Sequence, residues 1–392
     1  MSDTLDDTNG VAIGLRRLAA AANRAGHSVQ LIGGAFKTAI DLRTAVGGAA
    51  RPGEPDLAID VRDDVVRIPA ALSASLPIYP DMVWSVPELP PLVAYLSKHA
   101  DLVQVSTPGP MGLAGMIAGK MLGLPVIAQY HTEVAEYAAR MSGLPMLGAI
   151  VGPIVGWFYK QAELCLAPSE AVVQRLTSLG IAPDRICRVR RGVDLSLFDP
   201  GRRDRSLYAA HGGGPIALYV GRLSREKNLE TLLAAWTIVH RTHPHARLCV
   251  VGEGPQRHAV KGPGVIDLGP AFGPELAALF ASADVFAFPS ETETFGNVVV
   301  EAAASGLPSV VASAGAAHEH VLDGETGDVV DGKDPAAFAA AMVRQFDDPL
   351  RRARMSAASR SHALGYDLAH AVSATMDIYR GVAGGRALEA AS

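Results

Sequence analysis

The feature that most restricts this chain is a repeated alternation of short apolar runs with Ala/Leu-rich stretches of helical length. Uninterrupted apolar runs suit strands buried on both faces, and intervening helices supply the crossovers that parallel strands require. The pattern predicts an α/β chain of doubly wound parallel sheets. Strands are expected at 28–33, 102–106, 125–130, 164–168 and 186–190, and again at 216–221, 247–252, 265–268, 285–289 and 308–312. A length of 392 residues accommodates two such domains. The charged, turn-rich stretch LFDPGRRDRS, residues 197–206, marks the expected linker. The reading is therefore a Rossmann-like domain over 1–197 and another over 198–365, facing a cleft. Only six residues precede the loop Asp7-Thr-Asn-Gly-Val11 that feeds an expected helix over 12–25. Either the first domain lacks its first strand or the chain begins late.

Charge narrows the function. The formal net charge is −5, and residues 1–197 carry 17 basic against 18 acidic side chains, the remainder 18 against 22. Neither half has the basic footprint of a nucleic-acid binder. Cys165, Cys187 and Cys249 each sit in an apolar run without CxxC spacing, which reads as buried reduced thiols in a cytoplasmic protein. The acidic, polar start is unlike an export signal. Residues 141–159 contain no charged side chain and approach the roughly 20 residues that span a bilayer. Pro145, Pro153 and four glycines speak against a spanning helix. That segment is either a buried helix of the first domain or a peripheral contact at the inner face of the membrane.

Three constellations carry chemistry. In FPSETETFGNVVVEAAASGLP, from Phe288, a strand runs into a loop and then a helix near Gly296 or Asn297. Such a junction aims unbonded N–H groups and the positive helix end out of the sheet edge, where α/β folds bind anions. Glu293 and Glu301 bracket that helix start. Two carboxylates would repel phosphate but accept paired hydrogen bonds from neighbouring sugar hydroxyls; the alternative is a capping Glu293 and a solvated Glu301. Second, Tyr219-Val-Gly-Arg-Leu-Ser-Arg-Glu-Lys-Asn228 places Arg222, Arg225 and Lys227 in one loop after a strand, suited to a diphosphate or simply solvated. Third, His131 follows an apolar run at a ligand-facing strand end, a position equally open to a structural histidine. His318-Glu-His320 has metal-like spacing but no third ligand, and reads as a satisfied surface loop. Neither G-x-S-x-G nor G-x-x-x-x-G-K-[ST] is present, nor is D-x-D. A diphosphate here would be neutralised by Arg222, Lys227 and helix N-termini, without a metal or other cofactor.

Together these residues resemble the retaining glycosyltransferases of the GT-B fold, of the family 4 type. That group includes bacterial glycogen synthases, phosphatidylinositol mannosyltransferases, GDP-mannose-dependent mannosyltransferases and sulfoquinovosyl-diacylglycerol synthases. The resemblance runs from Thr8 to about Asp331 through Thr8-Asn-Gly-Val11, Tyr130-His-Thr132, Arg191-Gly-Val-Asp194, Gly221-Arg-Leu-Ser-Arg-Glu-Lys-Asn228, Val251-Gly-Glu-Gly-Pro255 and Glu293-Thr-Phe-Gly-Asn-Val-Val-Val-Glu301. It implies a nucleotide-sugar donor on the second domain. Glu301 would hold the ribose, Arg222 and Lys227 the diphosphate, and Glu293 with Phe295, Gly296, Asn297 and Val298 the hexose. From the first domain Gly10 would offer an N–H to phosphate, and His131 would meet the sugar. It further implies retention of anomeric configuration, a lipid or glycan acceptor, and a final stretch, 366–383, that returns to the first domain. Ala316 stands where relatives often carry a second glycine. The competing readings are a nucleotide-sugar epimerase or hydrolase of the same fold, and a nucleotide-binding protein that lost catalysis with its first strand.

Overall fold

The computed structural model describes residues 1–3, 5, 10–34, 60–62, 65–76, 79–131, 145–212 and 214–385. The chain divides into two compact units. Unit 1 comprises Met1–Pro168, Val172–Val189 and Val372–Ser392, and unit 2 Ser169–Ala171 and Arg190–Ala371.

In unit 1, helix Gly10–Arg24 precedes β1 (Leu31–Gly34), β2 (Asp60–Arg62) and β3 (Val65–Ile68), with β3 lying between a parallel β1 and an antiparallel β2. An antiparallel pair follows, β4 (Ala70–Leu76) and β5 (Tyr79–Pro87). Then β6 (Val103–Val105), β7 (Val126–Gln129), β8 (Leu164–Ala167) and β9 (Ile186–Arg188) form a four-stranded parallel sheet in sequence order. Backbone bonds from Ser2 N to the Ile32 carbonyl and from Ser106 N to the Met1 carbonyl place Met1 and Ser2 between β1 and β6, where a first strand was expected to be missing. On one face Met111, Met116, Val155, Phe158 and Tyr159 close the core; Ile378, Tyr379 and Val382 of the C-terminal helix Leu368–Ala383 pack over Ile127, Leu166 and Val189.

Unit 2 is the larger sheet: β10 (Ile216–Val220), β11 (Arg247–Val251), β12 (Val265–Gly269), β13 (Val285–Phe288), β14 (Ser309–Ala312) and β15 (Gly327–Val330), all parallel, in the order β12-β11-β10-β13-β14-β15. The first connection moves outward from β10 and the chain then returns to β10's other side, the strand-order reversal beside which α/β folds bind ligands. Every residue of β10, β13 and β14 is buried, as their uninterrupted apolar character requires. The main segment of unit 2 begins at Arg190, and residues 197–206, the expected linker, lie within it, with Phe198 and Tyr208 buried in its core. Val193 pairs with the segment before the C-terminal helix, donating to the Tyr366 carbonyl (2.8 Å) and accepting from Leu368 N (3.1 Å). Gly192 permits that approach, because a Cβ there would sit 2.4 Å from the Leu368 Cα.

Candidate functional site

Three loops leave the C-terminal ends of the neighbouring strands β10, β13 and β14. The first, after Val220, closes in a 3-10 turn, Arg225–Lys227, that ends on Asn228 in a left-handed conformation (φ 51°). Asn228 then donates its side-chain amide to the Pro289 carbonyl (3.1 Å), and Thr292 Oγ1 donates to the Glu226 carbonyl (3.2 Å). These two bonds fasten the β10 loop to the β13 loop.

Lys227 and Glu293 meet across that seam. Lys227 Nζ lies 2.5 Å from Glu293 Oε1, and Ser290 Oγ donates to the same oxygen at 2.8 Å. Burial acts to raise the Glu293 pKa, but Lys227, Ser290 and Arg191 together outweigh it and hold the carboxyl below its ordinary value. The carboxylate is thus ionised and oriented. Glu293 does not cap the following helix; Gly296 occupies that position without a side-chain bond.

The third loop grips the same residue by its backbone. Ala316 N donates to the Glu293 carbonyl (2.9 Å). Gly315, at φ 74°, approaches so closely that a Cβ would lie 2.5 Å from the Glu291 carbonyl. Glycine is therefore needed at 315. Ala316 has φ −95° and tolerates a side chain, so the departure noted at that position costs nothing in the fold.

Helix Asn297–Ala304 starts from Gly296 at φ 89°. Its Val-rich sequence favours a strand locally, and burial of Val299 to Ala304 in the unit 2 core overrides that propensity. The N–H groups of Asn297 and Val298 fall in the first turn, which has no intrahelical acceptor. Glu301, one turn further, is buried (5% exposed) and not the solvated helix residue that its charge alone suggests. Phe295 is buried, while Asn297, Val298 and Arg222 are half-buried; Arg225 is exposed.

Sequence reasoning assigned no role to Arg191 or His320. The Arg191 guanidinium lies over the Phe295 ring, 5.7 Å from its centroid, and burial lowers its pKa to about 10 against the opposing pull of Glu293. Its place at the head of the Arg191–Asp194 motif was the available signal. His320 was expected in a surface loop and is instead buried (4% exposed), with Nε2 2.7 Å from the Phe295 carbonyl and Nδ1 3.0 Å from the Tyr366 hydroxyl. Among the described residues no three His, Cys, Asp or Glu side chains are placed to hold a metal ion.

The remaining site residues belong to unit 1. Gly10 is the exposed first residue of its helix, so its N–H lies at the helix start; Thr8 and Asn9 are outside the described residues. His131, just past β7, is buried (7% exposed), and Thr132 is outside the described residues. Helix Pro145–Lys160 carries Pro153 inside it and is two-sided, with Val155, Phe158 and Tyr159 buried and Met146, Ile154 and Trp157 exposed. Residues 141–144 lie outside the described residues. No described helix is long and apolar enough to cross a membrane.

Two Rossmann-like units, with loops converging at the strand-order reversal of the second, define a GT-B fold, the fold of nucleotide-sugar-dependent glycosyltransferases. Solved structures agree on the fold: sucrose-phosphate synthase of Thermosynechococcus elongatus superposes with a TM-score of 0.72 at 22% identity, covering 96% of this chain and 94% of that one. Anabaena HepE, solved with UDP and glucose, gives 0.69 at 19% identity over 96% and 97%. Residues 8–197 match Glycosyltransferase Family 4 and residues 214–348 match Glycosyl transferases group 1. The GDP-mannose-dependent alpha-mannosyltransferase of Mycobacterium tuberculosis is 34% identical over 270 residues, covering 67% of this chain and 69% of that protein. Its counterpart in Corynebacterium glutamicum is 31% identical over 326 residues, 80% of this chain and 75% of that one. The sulfoquinovosyl transferase of Arabidopsis thaliana is 31% identical over 271 residues; the match takes in 67% of this chain and about half, 52%, of that protein. The chain belongs to glycosyltransferase family 4, a family of retaining hexosyltransferases.

Proposed function

We propose that this chain transfers a hexosyl group, with retention and without a metal, from a nucleotide sugar to a lipid or glycan acceptor, and that the donor is GDP-mannose. The observation that carries the reading is the Lys227–Glu293 pair at 2.5 Å, which joins a cation to a hydroxyl acceptor in the loop that leads directly into helix Asn297–Ala304 and its first-turn N–H groups. Breaking the anomeric C–O bond leaves positive charge on the sugar ring and negative charge on the departing diphosphate. Fixed cations and N–H dipoles at that diphosphate lower the barrier. In this assignment Arg222 and Lys227 neutralise the diphosphate. Glu293 and the backbone of Phe295, Gly296, Asn297 and Val298 hold the hexose, and Glu301 accepts from the ribose hydroxyls. Gly10 offers an N–H to phosphate, and His131 contacts the sugar. No side chain is assigned as a covalent nucleophile; the leaving phosphate takes the acceptor's proton.

The mannosyl donor is favoured by likeness to mannosyltransferases over two thirds or more of the chain. A lipid acceptor is favoured by the exposed side chains of helix Pro145–Lys160, where Ile154 is 59% and Trp157 53% exposed. Thermal-shift titration with GDP, UDP and ADP, with and without magnesium, tests the donor. A ligand at 100 times its dissociation constant adds about 2.7 kcal/mol of stability. Selective, metal-independent stabilisation by GDP is expected; selective stabilisation by UDP replaces the base, and no stabilisation by any nucleotide removes the reading.

A further inference from the structure

Phe295 is held by two residues that the donor assignment does not use, His320 and Tyr366. Its ring lies 4.2 Å, centroid to centroid, from the His320 ring and 6.4 Å from that of Tyr366, and its carbonyl oxygen is 2.7 Å from His320 Nε2. A carbonyl only accepts, so Nε2 must carry a hydrogen. In the neutral ring Nδ1 is then an acceptor, and the Tyr366 hydroxyl, 3.0 Å away, donates to it. The Tyr366 backbone is itself anchored, its carbonyl accepting from Val193 N at 2.8 Å. Tyr366, His320 and the Phe295 carbonyl thus form a directional chain with one end fixed in the backbone of unit 2.

We propose that His320, locked by Tyr366, is a positioning residue for the donor hexose. The C=O and N–H of one peptide plane point in opposite directions, so fixing the Phe295 carbonyl on His320 turns the Gly296 N–H the other way. Gly296, at φ 89°, is the joint between that peptide and the first turn of helix Asn297–Ala304. Without the His320 bond a glycine joint has wide conformational freedom, and the N–H groups that meet the sugar are no longer pre-set. The inference rests on the donor reading above and adds to it a specific prediction. His320 acts on the hexose and not on the nucleotide, because the diphosphate ligands Arg222 and Lys227 stand on the loop after β10, and the ribose ligand Glu301 lies beyond the first turn, where burial of Val299 to Ala304 holds the helix.

The test is calorimetric titration of the full chain with GDP and GDP-mannose, and in parallel with UDP and UDP-glucose, for the wild type, His320→Asn, His320→Gln and Tyr366→Phe. Asparagine reaches only the place of Nδ1, whereas glutamine carries an amide donor to the place of Nε2. His320→Asn is expected to leave free-nucleotide affinity within about two-fold and to weaken the nucleotide sugar about ten-fold, the scale of one buried hydrogen bond. His320→Gln is expected to restore the nucleotide-sugar affinity to within about three-fold, and Tyr366→Phe to lower it selectively by a smaller factor. An unchanged ratio of the two affinities in His320→Asn, an equal loss of both, or a glutamine variant as impaired as asparagine overturns the proposal. Should His320→Asn fail to fold, an unchanged ratio in Tyr366→Phe does the same. Lys227→Ala separates the two levels. If it leaves nucleotide affinity intact, the donor reading falls; if it abolishes binding while His320→Asn keeps the wild-type ratio, only the role of His320 falls.

Discussion

Replacing Lys227 by alanine removes the cation on which Glu293 depends. Two effects follow, of different size. The side chains of the pair are 20% and 16% exposed, between a surface ion pair worth about 0–1 kcal/mol and a fully buried one whose rupture costs about 3–5 kcal/mol. Ser290 still donates to Glu293 at 2.8 Å and Arg191 remains nearby, so the loss of stability should be about 1–2 kcal/mol. For a unit of this size that is a fall in melting temperature of roughly 2–8 °C. Turnover should suffer more, because loss of one charge-stabilising contact to a leaving group costs about 100- to 1,000-fold in rate. The two are separated by measuring nucleotide release from the nucleotide sugar at a temperature well below the variant's melting point. The variant also has a pH signature. Burial, the largest influence on Glu293, pushes its pKa up, and Lys227 is the first of the groups that bring it down. Without Lys227 the carboxyl protonates at higher pH, so the acid limb of the activity profile moves upward. A folded Lys227→Ala protein with kcat/KM within about three-fold of wild type, or an unmoved acid limb, would refute the assignment of this pair.

Three further outcomes are expected. Gly252 has φ 144° and a Cβ there would lie 1.9 Å from the Gly221 carbonyl, backbone against backbone, so Gly252→Ala should destabilise unit 2 by about 3 kcal/mol or more in a denaturant melt. Asp328 is buried and accepts from Arg351 (2.9 Å), Gln345 (2.8 Å) and Arg344 (3.3 Å); burial raises its pKa, but these partners prevail and depress it. Its contribution is complete above the ordinary carboxylate value of about 3.9 and is lost as pH falls through the lower folded value, so Asp328→Asn should cost about 2–4 kcal/mol at pH 7 and progressively less below pH 4. Trp157→Glu, at a site 53% exposed, should change stability by less than about 0.5 kcal/mol yet abolish flotation with anionic liposomes; equal flotation of both proteins removes the membrane contact.

What could be read without coordinates was what residue chemistry and short-range pattern encode. Apolar runs marked β6 to β14, most plainly β7, β8, β10, β13 and β14, which are buried throughout and have no polar face to disguise them, and the expected runs differ from the observed strands mainly at their ends. The exceptions are instructive. The strands β2 to β5 were not anticipated, since segments such as DVR and AALSASL carry charge or small residues and gain their pairing from neighbours. β15, GDVV, was hidden by Asp328, a buried charge made tolerable only by Arg344, Gln345 and Arg351 from helices that follow it in the chain. At the site, sequence supplied Lys227, Glu293 and Glu301 as residue types suited to diphosphates and hydroxyls. The meeting of Lys227 with Glu293 was decided by the tertiary structure, through the adjacency of β10 and β13 and the Asn228–Pro289 bond that joins their loops. His320 shows the limit most plainly. Its own neighbours in sequence look like an exposed loop, yet it is buried and bonded both to Phe295, 25 positions away, and to Tyr366, 46 positions away, partnerships that local pattern does not encode.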